Sequence, residues 1–385
     1  MRKFFLRLFL ITLIIITFVL IFLTYFGLET NRFNNLIKDK GNNVNQNVKI
    51  EFQKTKIYLN PIELNLIVKL QNPKILIKND EIDLSKLDLF LSLKSFFSID
   101  TLLKRAELAF IKNDIKDLTK ITNIFLPRII NKRLNKIFEK GNLEGEFIIP
   151  FDVDGSIGKN YGFSGKVSDA SINLTKKFKI KNLTTTIKQE KKNEFNIIIK
   201  KGLLLDLDLS GSTINLKNQE NVKKIKTLIH TNGKINFFQI KNISTLLGLK
   251  IDYFKEINGK ADLKTYIDFD VDKKFKIKNL SFSMNGIINH LELHTEEKRT
   301  IKKYLPEYDP KIILKDTNIK LTNSKAIYTT ELNGFIKMKD YLDSFTVKEI
   351  YNHNKKSFDI NGIIDLTNSK VKISRLNYNK DNGIK

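Results

Sequence analysis

The chain has no cysteine and no tryptophan, and only 4 histidines. Zero cysteines exclude disulfides, thiolate nucleophiles and Cys-based metal sites together. A folded domain of this composition must therefore be held by backbone pairing and apolar burial alone. The histidines are His230, His290, His294 and His353. His290 and His294 have i, i+4 spacing, but their segment alternates apolar and polar residues like a strand, which separates them by about 13 Å, too far for one metal ion. The acidic pairs Asp206 with Asp208 and Asp152 with Asp154 stand two residues apart, as on one strand face, with no neighbouring partner for acid–base work. Gly158, Gly162 and Gly165 do not lead from a strand into a helix, so they form no phosphate cradle. The expectation is a protein without catalytic residues, metal or cofactor, and not an enzyme.

Alanine is also missing from the chain before Ala106. A cleavable signal peptide would end its short apolar core at small residues. Instead, Arg2, Lys3 and Arg7 precede an uncharged run from Leu8 to Leu28. At about 1.5 Å of rise per residue this run spans about 32 Å as a helix, matching the roughly 30 Å hydrocarbon core of a bilayer. The reading is an uncleaved transmembrane anchor with the basic N-terminus on the cytoplasmic side. No second hydrophobic run of spanning length follows, so a single-pass protein is expected.

The net charge of +25 invites a nucleic-acid reading. The lysines, however, are strewn through almost every segment, whereas a nucleic-acid face would concentrate them with arginine and aromatics. Abundant Lys, Asn, Ile and Phe point to an AT-rich coding bias plus solubility, with weak attraction to anionic headgroups second. Nucleic acid is not expected as a partner.

Beyond the anchor, period-two alternation dominates. It runs through Ile62, Leu64, Leu66, Val68 and Leu70, then Leu87, Leu89, Leu91 and Leu93, then Phe147, Ile149, Phe151 and Val153, then Leu203, Leu205, Leu207 and Leu209. Such alternation makes strands with one dry face and one wet face. Asn-Gly pairs beginning at Asn232, Asn258, Asn285, Asn333, Asn361 and Asn382 suit two-residue hairpin turns and predict an antiparallel meander, though some could mark a strand start or bulge. The octapeptide Lys176 to Leu183 repeats identically at Lys273 to Leu280, with Phe178 and Ile180, or Phe275 and Ile277, expected to face inward.

Helices are expected at 114–125, from Pro127 to about Lys140, at 244–254, and in the charged stretch 295–304. In the second of these Arg128, Lys132, Lys136 and Lys140 form an i, i+4 basic stripe, read first as a solvated face and second as a dock for an anionic membrane. The resulting division is 1–30 for the cytoplasmic segment and anchor, 31–113 for the start of the sheet, 114–140 for the amphipathic helices, and 141–385 for the continuing sheet. The fold class is mainly β, a transmembrane helix followed by a long antiparallel sheet with a few short helices. About 20 strands at roughly 4.8 Å spacing would make a sheet of order 95 Å, too long to close on one core.

A basic N-terminus and single anchor lead into Leu59-Asn60-Pro61-Ile62-Glu63-Leu64-Asn65-Leu66, Leu70-Gln71-Asn72-Pro73-Lys74-Ile75 and Leu91-Ser92-Leu93-Lys94-Ser95-Phe96-Phe97. This progression resembles the AsmA-like family of bacterial bridge-like lipid-transfer proteins (YhdP/TamB-type), most specifically over Leu59 to Phe97. Members are usually longer, so the resemblance implies a fragment or a short member. It also implies an inner-membrane anchor, a curled open β-groove (β-taco) in the periplasm, and phospholipid conducted between inner and outer membrane with an outer-membrane or periplasmic protein as possible partner. The lining expected for such a groove is Leu64, Leu66, Leu89, Leu91, Phe147, Phe178, Leu205, Leu207, Phe275 and Ile277. The same inward residues would also fit a closed sandwich. The alternative function is a periplasmic scaffold that assists outer-membrane protein assembly without moving lipid.

Overall fold

The computed structural model describes the chain apart from residues 1, 32–33, 36, 40–47, 78–79, 94–102, 120–127, 153, 155–157, 159–161, 176–177, 192, 220–221, 247–253, 274–275, 296–308 and 385. It is mainly antiparallel β with few helices, and divides into two units. Unit 1 comprises Met1–Leu174 and Thr184–Asn193; unit 2 comprises Thr175–Leu183 and Glu194–Lys385.

Unit 1 opens with α1 (Arg2–Tyr25), which is long and apolar enough to cross a membrane. Its strands are β1 (Leu28–Glu29), β2 (Val48–Glu51), β3 (Lys54–Asn60), β4 (Asn65–Gln71), β5 (Lys74–Ile77), β6 (Asp80–Ser92), β7 (Leu103–Asp114), β8 (Phe138–Pro150) and β9 (Gly162–Asn173), with α2 (Arg128–Ile137) ahead of β8. The ladder order is β1–β3–β4–β6–β7–β8–β9, and β2 pairs with β5, which pairs with β6. Strand β10 (Lys179–Lys191) contributes to both units.

Unit 2 holds β11 (Glu194–Leu204), β12 (Leu207–Asp208), β13 (Thr213–Asn218), β14 (Val222–Asn236), α3 (Phe237–Leu246), β15 (Phe254–Asp272), β16 (Ile277–Thr295), β17 (Lys311–Ser324), β18 (Ile327–Met338), β19 (Tyr341–Asn352) and β20 (Ser357–Asp365). A small hairpin of β21 (Val371–Ile373) and β22 (Tyr378–Lys380) follows. The main ladder runs β11–β13–β14–β15–β16–β17–β18–β19–β20, each pair antiparallel.

Several sequence expectations change here. The alternation from Ile62 to Leu70 is not one strand: Pro61 to Leu64 form a turn, and β4 starts at Asn65. The side chain of Asn60 accepts hydrogen bonds from the backbone N–H of Ile62 (3.1 Å) and Glu63 (3.2 Å), and Leu64 adopts φ 49°. An Asx turn thus outcompetes the strand pattern. The run Leu203 to Leu209 is likewise a hairpin, turning at Leu205 (φ 52°) and Asp206 (φ 64°), so Asp206 and Asp208 do not share a strand face.

The Asn-Gly pairs at 232, 258, 285, 333 and 361 make no turns. Each lies inside a long strand, with asparagine on the polar face and glycine on the apolar one. Three of these glycines, Gly259, Gly286 and Gly334, permit close backbone approach: a Cβ at Gly286 would lie 2.1 Å from the carbonyl oxygen of Asp262, and one at Gly334 would lie 2.5 Å from Thr317 Cα. The turns between β17 and β18 and between β18 and β19 instead use Lys325 (φ 56°) and Lys339 (φ 53°). Among the helices, residues 115–119 are helical and 120–125 lie outside the described residues. Of the helix expected at 244–254, residues 244–246 form the end of α3, 247–253 lie outside the described residues and Phe254 opens β15; nearly all of the charged stretch 295–304 also lies outside the described residues.

Candidate functional site

Cross-strand register decides which side chains share a face, because directly opposed residues point to the same side. In unit 1 one row runs Ile57, Val68, Leu89, Ala106 and Ile149; another runs Leu59, Leu66, Leu91 and Leu103; a third runs Leu87, Leu108, Phe147 and Phe163. Leu66, Leu89, Leu91 and Phe147 therefore share one apolar face. Phe147 sits between Phe110 (5.6 Å) and Phe163 (4.4 Å), and the opposed glycines Gly145 and Gly165 make room for the Phe163 ring. Over β3, β4 and β6 this face is a closed core: Ile37 and Leu118 pack with Val68, Leu66 and Leu91.

Unit 2 presents a longer face. One row crosses all of β11 and β13 to β20: Ile197, Ile214, Thr227, Ile267, Phe282, Asn323, Tyr328, Tyr351 and Phe358. Those nine strands at about 4.8 Å spacing carry the row across about 38 Å. Its later part is an aromatic ladder, with ring centroids 6.0 Å apart for Phe282 and Tyr328, 6.1 Å for Tyr328 and Tyr351, and 4.6 Å for Tyr351 and Phe358. A parallel row holds Leu263, Gly286, Ile319, Leu332, Val347 and Gly362. The opposite face of the same strands is mostly polar, as on β15, where Asn258, Lys260, Asp262, Lys264, Tyr266, Asp268 and Asp270 alternate with the apolar residues, though it also exposes Ile287 and Phe335. Helix α3 covers one end of the apolar face through Phe237 and Ile240. Toward β20 it is open: Phe358 is 60% and Ile360 64% exposed.

The remaining expected lining residues scatter. Leu64 is 64% exposed in its turn, a correction to its inward placement. Phe178 and Leu207 are buried, whereas Leu205 occupies the β11–β12 turn. Ile277 lies opposite Val271 on the apolar face yet is 61% exposed, and Phe275 lies outside the described residues. The two copies of the octapeptide place Asn182 and Asn279 alike, both at φ 52°, but do not share an environment. Ile180 and Leu183 are buried; Ile277 and Leu280 are exposed. In the basic stripe Arg128, Lys132 and Lys136 belong to α2, and Lys132 and Lys136 are exposed. Lys140 does not extend the stripe, because α2 stops at Ile137 and Lys140 lies in β8, opposite Ser171 of β9.

The polar groups pair with one another on the sheet. His290 Nε2 lies 3.4 Å from Glu292, which also pairs with Lys311, and His230 Nε2 lies 2.7 Å from Asp262. Burial pushes the Asp88 carboxyl up against the pull of Lys69 and Lys86. Hydrogen bonds from Ser210 hold Asp208 down. Among the described residues no group of three His, Asp or Glu side chains converges as a metal site would. What the arrangement can do chemically is shelter apolar ligand surface on the open face of unit 2. Comparison with known proteins finds no matching family model, no similar curated protein and no similar solved structure, so the features above are the ones that speak to function.

Proposed function

We propose that this protein is an AsmA-like lipid carrier of the bacterial envelope, anchored in the inner membrane by α1 with its bulk in the periplasm. Its apolar sheet face would hold the acyl chains of phospholipids on their way between inner and outer membrane. The observation that carries this reading is the row from Ile197 to Phe358, apolar or aromatic at seven of its nine positions and open toward β20. Each CH₂ that leaves water for such a face gains about 0.8 kcal/mol. A row of about 38 Å exceeds the roughly 15 Å that one leaflet contributes to a bilayer core, so a lipid has many equivalent positions and no single deep site.

A second reading, a scaffold that templates partner strands, is favoured by β20. All of its residues are exposed, and among the described residues it pairs only with β19. The two readings separate in one experiment. The full chain is reconstituted in vesicles containing a phospholipid with a photoreactive acyl chain, irradiated, and mapped by peptide mass spectrometry. Adducts on β14 to β20 support the carrier; a folded protein with adducts on α1 alone refutes it and leaves the scaffold.

A further inference from the structure

We infer that the turn between β3 and β4, Pro61 to Leu64, is a second membrane contact, an apolar wedge seated in the same bilayer interface from which α1 emerges. The inference rests on α1 being the anchor. The path of the chain fixes where the turn lies. Phe26 and Gly27 both donate their N–H to the carbonyl of Phe22 (2.8 and 3.2 Å), and Gly27 turns the chain out of the helix at φ 70°. The very next residues are strand: Leu28 pairs with Ile57 and Glu29 with Lys56, antiparallel. No loose linker separates helix from sheet. A Cβ on Gly27 would lie 2.8 Å from the Tyr58 ring, so the end of α1 abuts the Tyr58 end of β3. From Tyr58 to Ile62 is at most about 13 Å of extended chain, which keeps the turn beside the mouth of the helix.

The chemistry of the turn fits that place. Ile62 is 92% exposed, the most exposed large apolar side chain among the described residues, and Leu64 is exposed as well. Leu64 holds a left-handed conformation that costs a non-glycine residue energy, and in water nothing is gained by pointing leucine outward. The Asn60 side chain clamps the turn through the N–H groups of Ile62 and Glu63, so the protrusion is built rather than loose. The turn's one charge is drawn back onto the sheet: Arg105 Nη1 donates to Glu63 Oε2 at 2.9 Å, Nη2 donates to Oε1 at 3.3 Å, and Asn65 Nδ2 donates to Oε2 at 2.7 Å. What remains outward is isoleucine and leucine, and the helix end that abuts β3 exposes Tyr25 and Phe26, together the aromatic and aliphatic set that favours a bilayer interface.

The absence of cysteine makes the test direct. Ile62→Cys and, separately, Leu64→Cys are labelled with the environment-sensitive fluorophore NBD in the full chain. The proteins are reconstituted in phosphatidylcholine–phosphatidylglycerol vesicles with or without a lipid carrying a doxyl quencher high on its acyl chain. Glu81→Cys is the control, exposed at the far end of β6 and about 35 Å from the turn along the strands. A blue-shifted emission quenched at least twofold by doxyl lipid at 62 or 64, with neither change at 81, is expected. Water-like emission at both turn positions in protein that floats with the vesicles overturns the wedge and leaves the anchor standing. Shielding from aqueous iodide without doxyl quenching assigns the turn to a protein partner and likewise overturns it. Protein that does not float overturns anchor and wedge together.

Discussion

Gly286→Ala is a one-carbon change in the middle of β16, and it should be among the most costly small substitutions in unit 2. The glycine lies opposite Leu263, and its added Cβ would lie 2.1 Å from the Asp262 carbonyl oxygen and 2.8 Å from Leu263 Cα. Ordinary contact begins at 3.4 Å, so β15 and β16 must part by roughly 1 Å or more, stretching the ladder bonds on either side. Overpacking costs about 1–3 kcal/mol and each weakened backbone bond about 1 kcal/mol, which together give about 3–5 kcal/mol. At about 2–4 °C per kcal/mol for a unit of this size, the melting temperature should fall by about 10 °C. Gly383→Ala separates this steric cost from the conformational one. Gly383 has φ 80° but nothing within 4 Å of the added atom, so the change should cost no more than about 1–2 kcal/mol. Far-UV circular dichroism melts of the full chain in detergent give the totals, and hydrogen exchange over β15 and β16 localises the loss. A Gly286→Ala protein that melts within about 2 °C of the parent would refute the close-approach argument.

Burial raises the Asp88 carboxyl above the ordinary aspartate value of 3.8, so the folded state holds that proton more tightly than the unfolded one and loses stability as pH rises through the carboxylate range. Asp88→Asn should therefore melt above the parent at neutral pH, and the difference should vanish below pH 3.8. Arg105→Ala removes a guanidinium 3.8 Å from the Phe90 ring centroid and its pairs with Glu63 and Glu107; about 1–2 kcal/mol should be lost, and Arg105→Lys should restore only part because an ammonium neither stacks nor binds bidentately. Leu66→Asp with Leu91→Asp places two carboxylates in a closed core at opposed positions and should abolish folding of unit 1, read as loss of protected amides. Phe358→Asp with Ile360→Asp alters exposed positions and should leave the melt within about 1 kcal/mol of the parent while removing lipid adducts from β19 and β20; adducts at parental level would count against the carrier.

What the sequence made legible was whatever rests on a long, regular signal. The apolar run places α1, and alternation finds the Leu87–Leu91 part of β6 and the Phe147–Ile149 part of β8, although Leu93 falls in a turn, β8 ends at Pro150 and Val153 lies outside the described residues. Alternation failed at Ile62 and Leu64 and at Leu205, where a run of the right period contains a chain reversal. In the first case Asn60 and Pro61 carried a usable turn signal just ahead of the run. In the second, Leu205 and Asp206 both take positive φ with no glycine or asparagine to announce it. Five of the six Asn-Gly pairs failed for the opposite reason, and only Asn382-Gly383 lies in a turn. Their chemistry suits a turn, yet inside these strands Gly259, Gly286 and Gly334 answer to the backbone across from them, as Gly286 does to Asp262 and Gly334 to Thr317. Cross-strand approach is a tertiary fact, invisible to a dipeptide.

The two apolar faces also show why a list of inward leucines could not locate a ligand path. Both faces come from the same alternation, and Leu66 on β4 and Leu332 on β18 read alike along the chain. Their fates depend on what the chain lays over them. In unit 1, Ile37 and Leu118, from outside the strands, close the face over β3, β4 and β6, and the gain from burial is spent on stability. In unit 2 the covering element, α3, packs Phe237 and Ile240 against the buried cluster that holds Ile257 and Leu291, while the aromatic ladder from Phe282 to Phe358 carries the face on to the exposed β20. A sheet that can bury its apolar side and a sheet that keeps it partly open differ by a few covering side chains, not by strand pattern. The open face is a standing cost in water, and an apolar ligand that covers it removes that cost. That asymmetry, rather than the alternation itself, directs the search for bound lipid to β14 through β20.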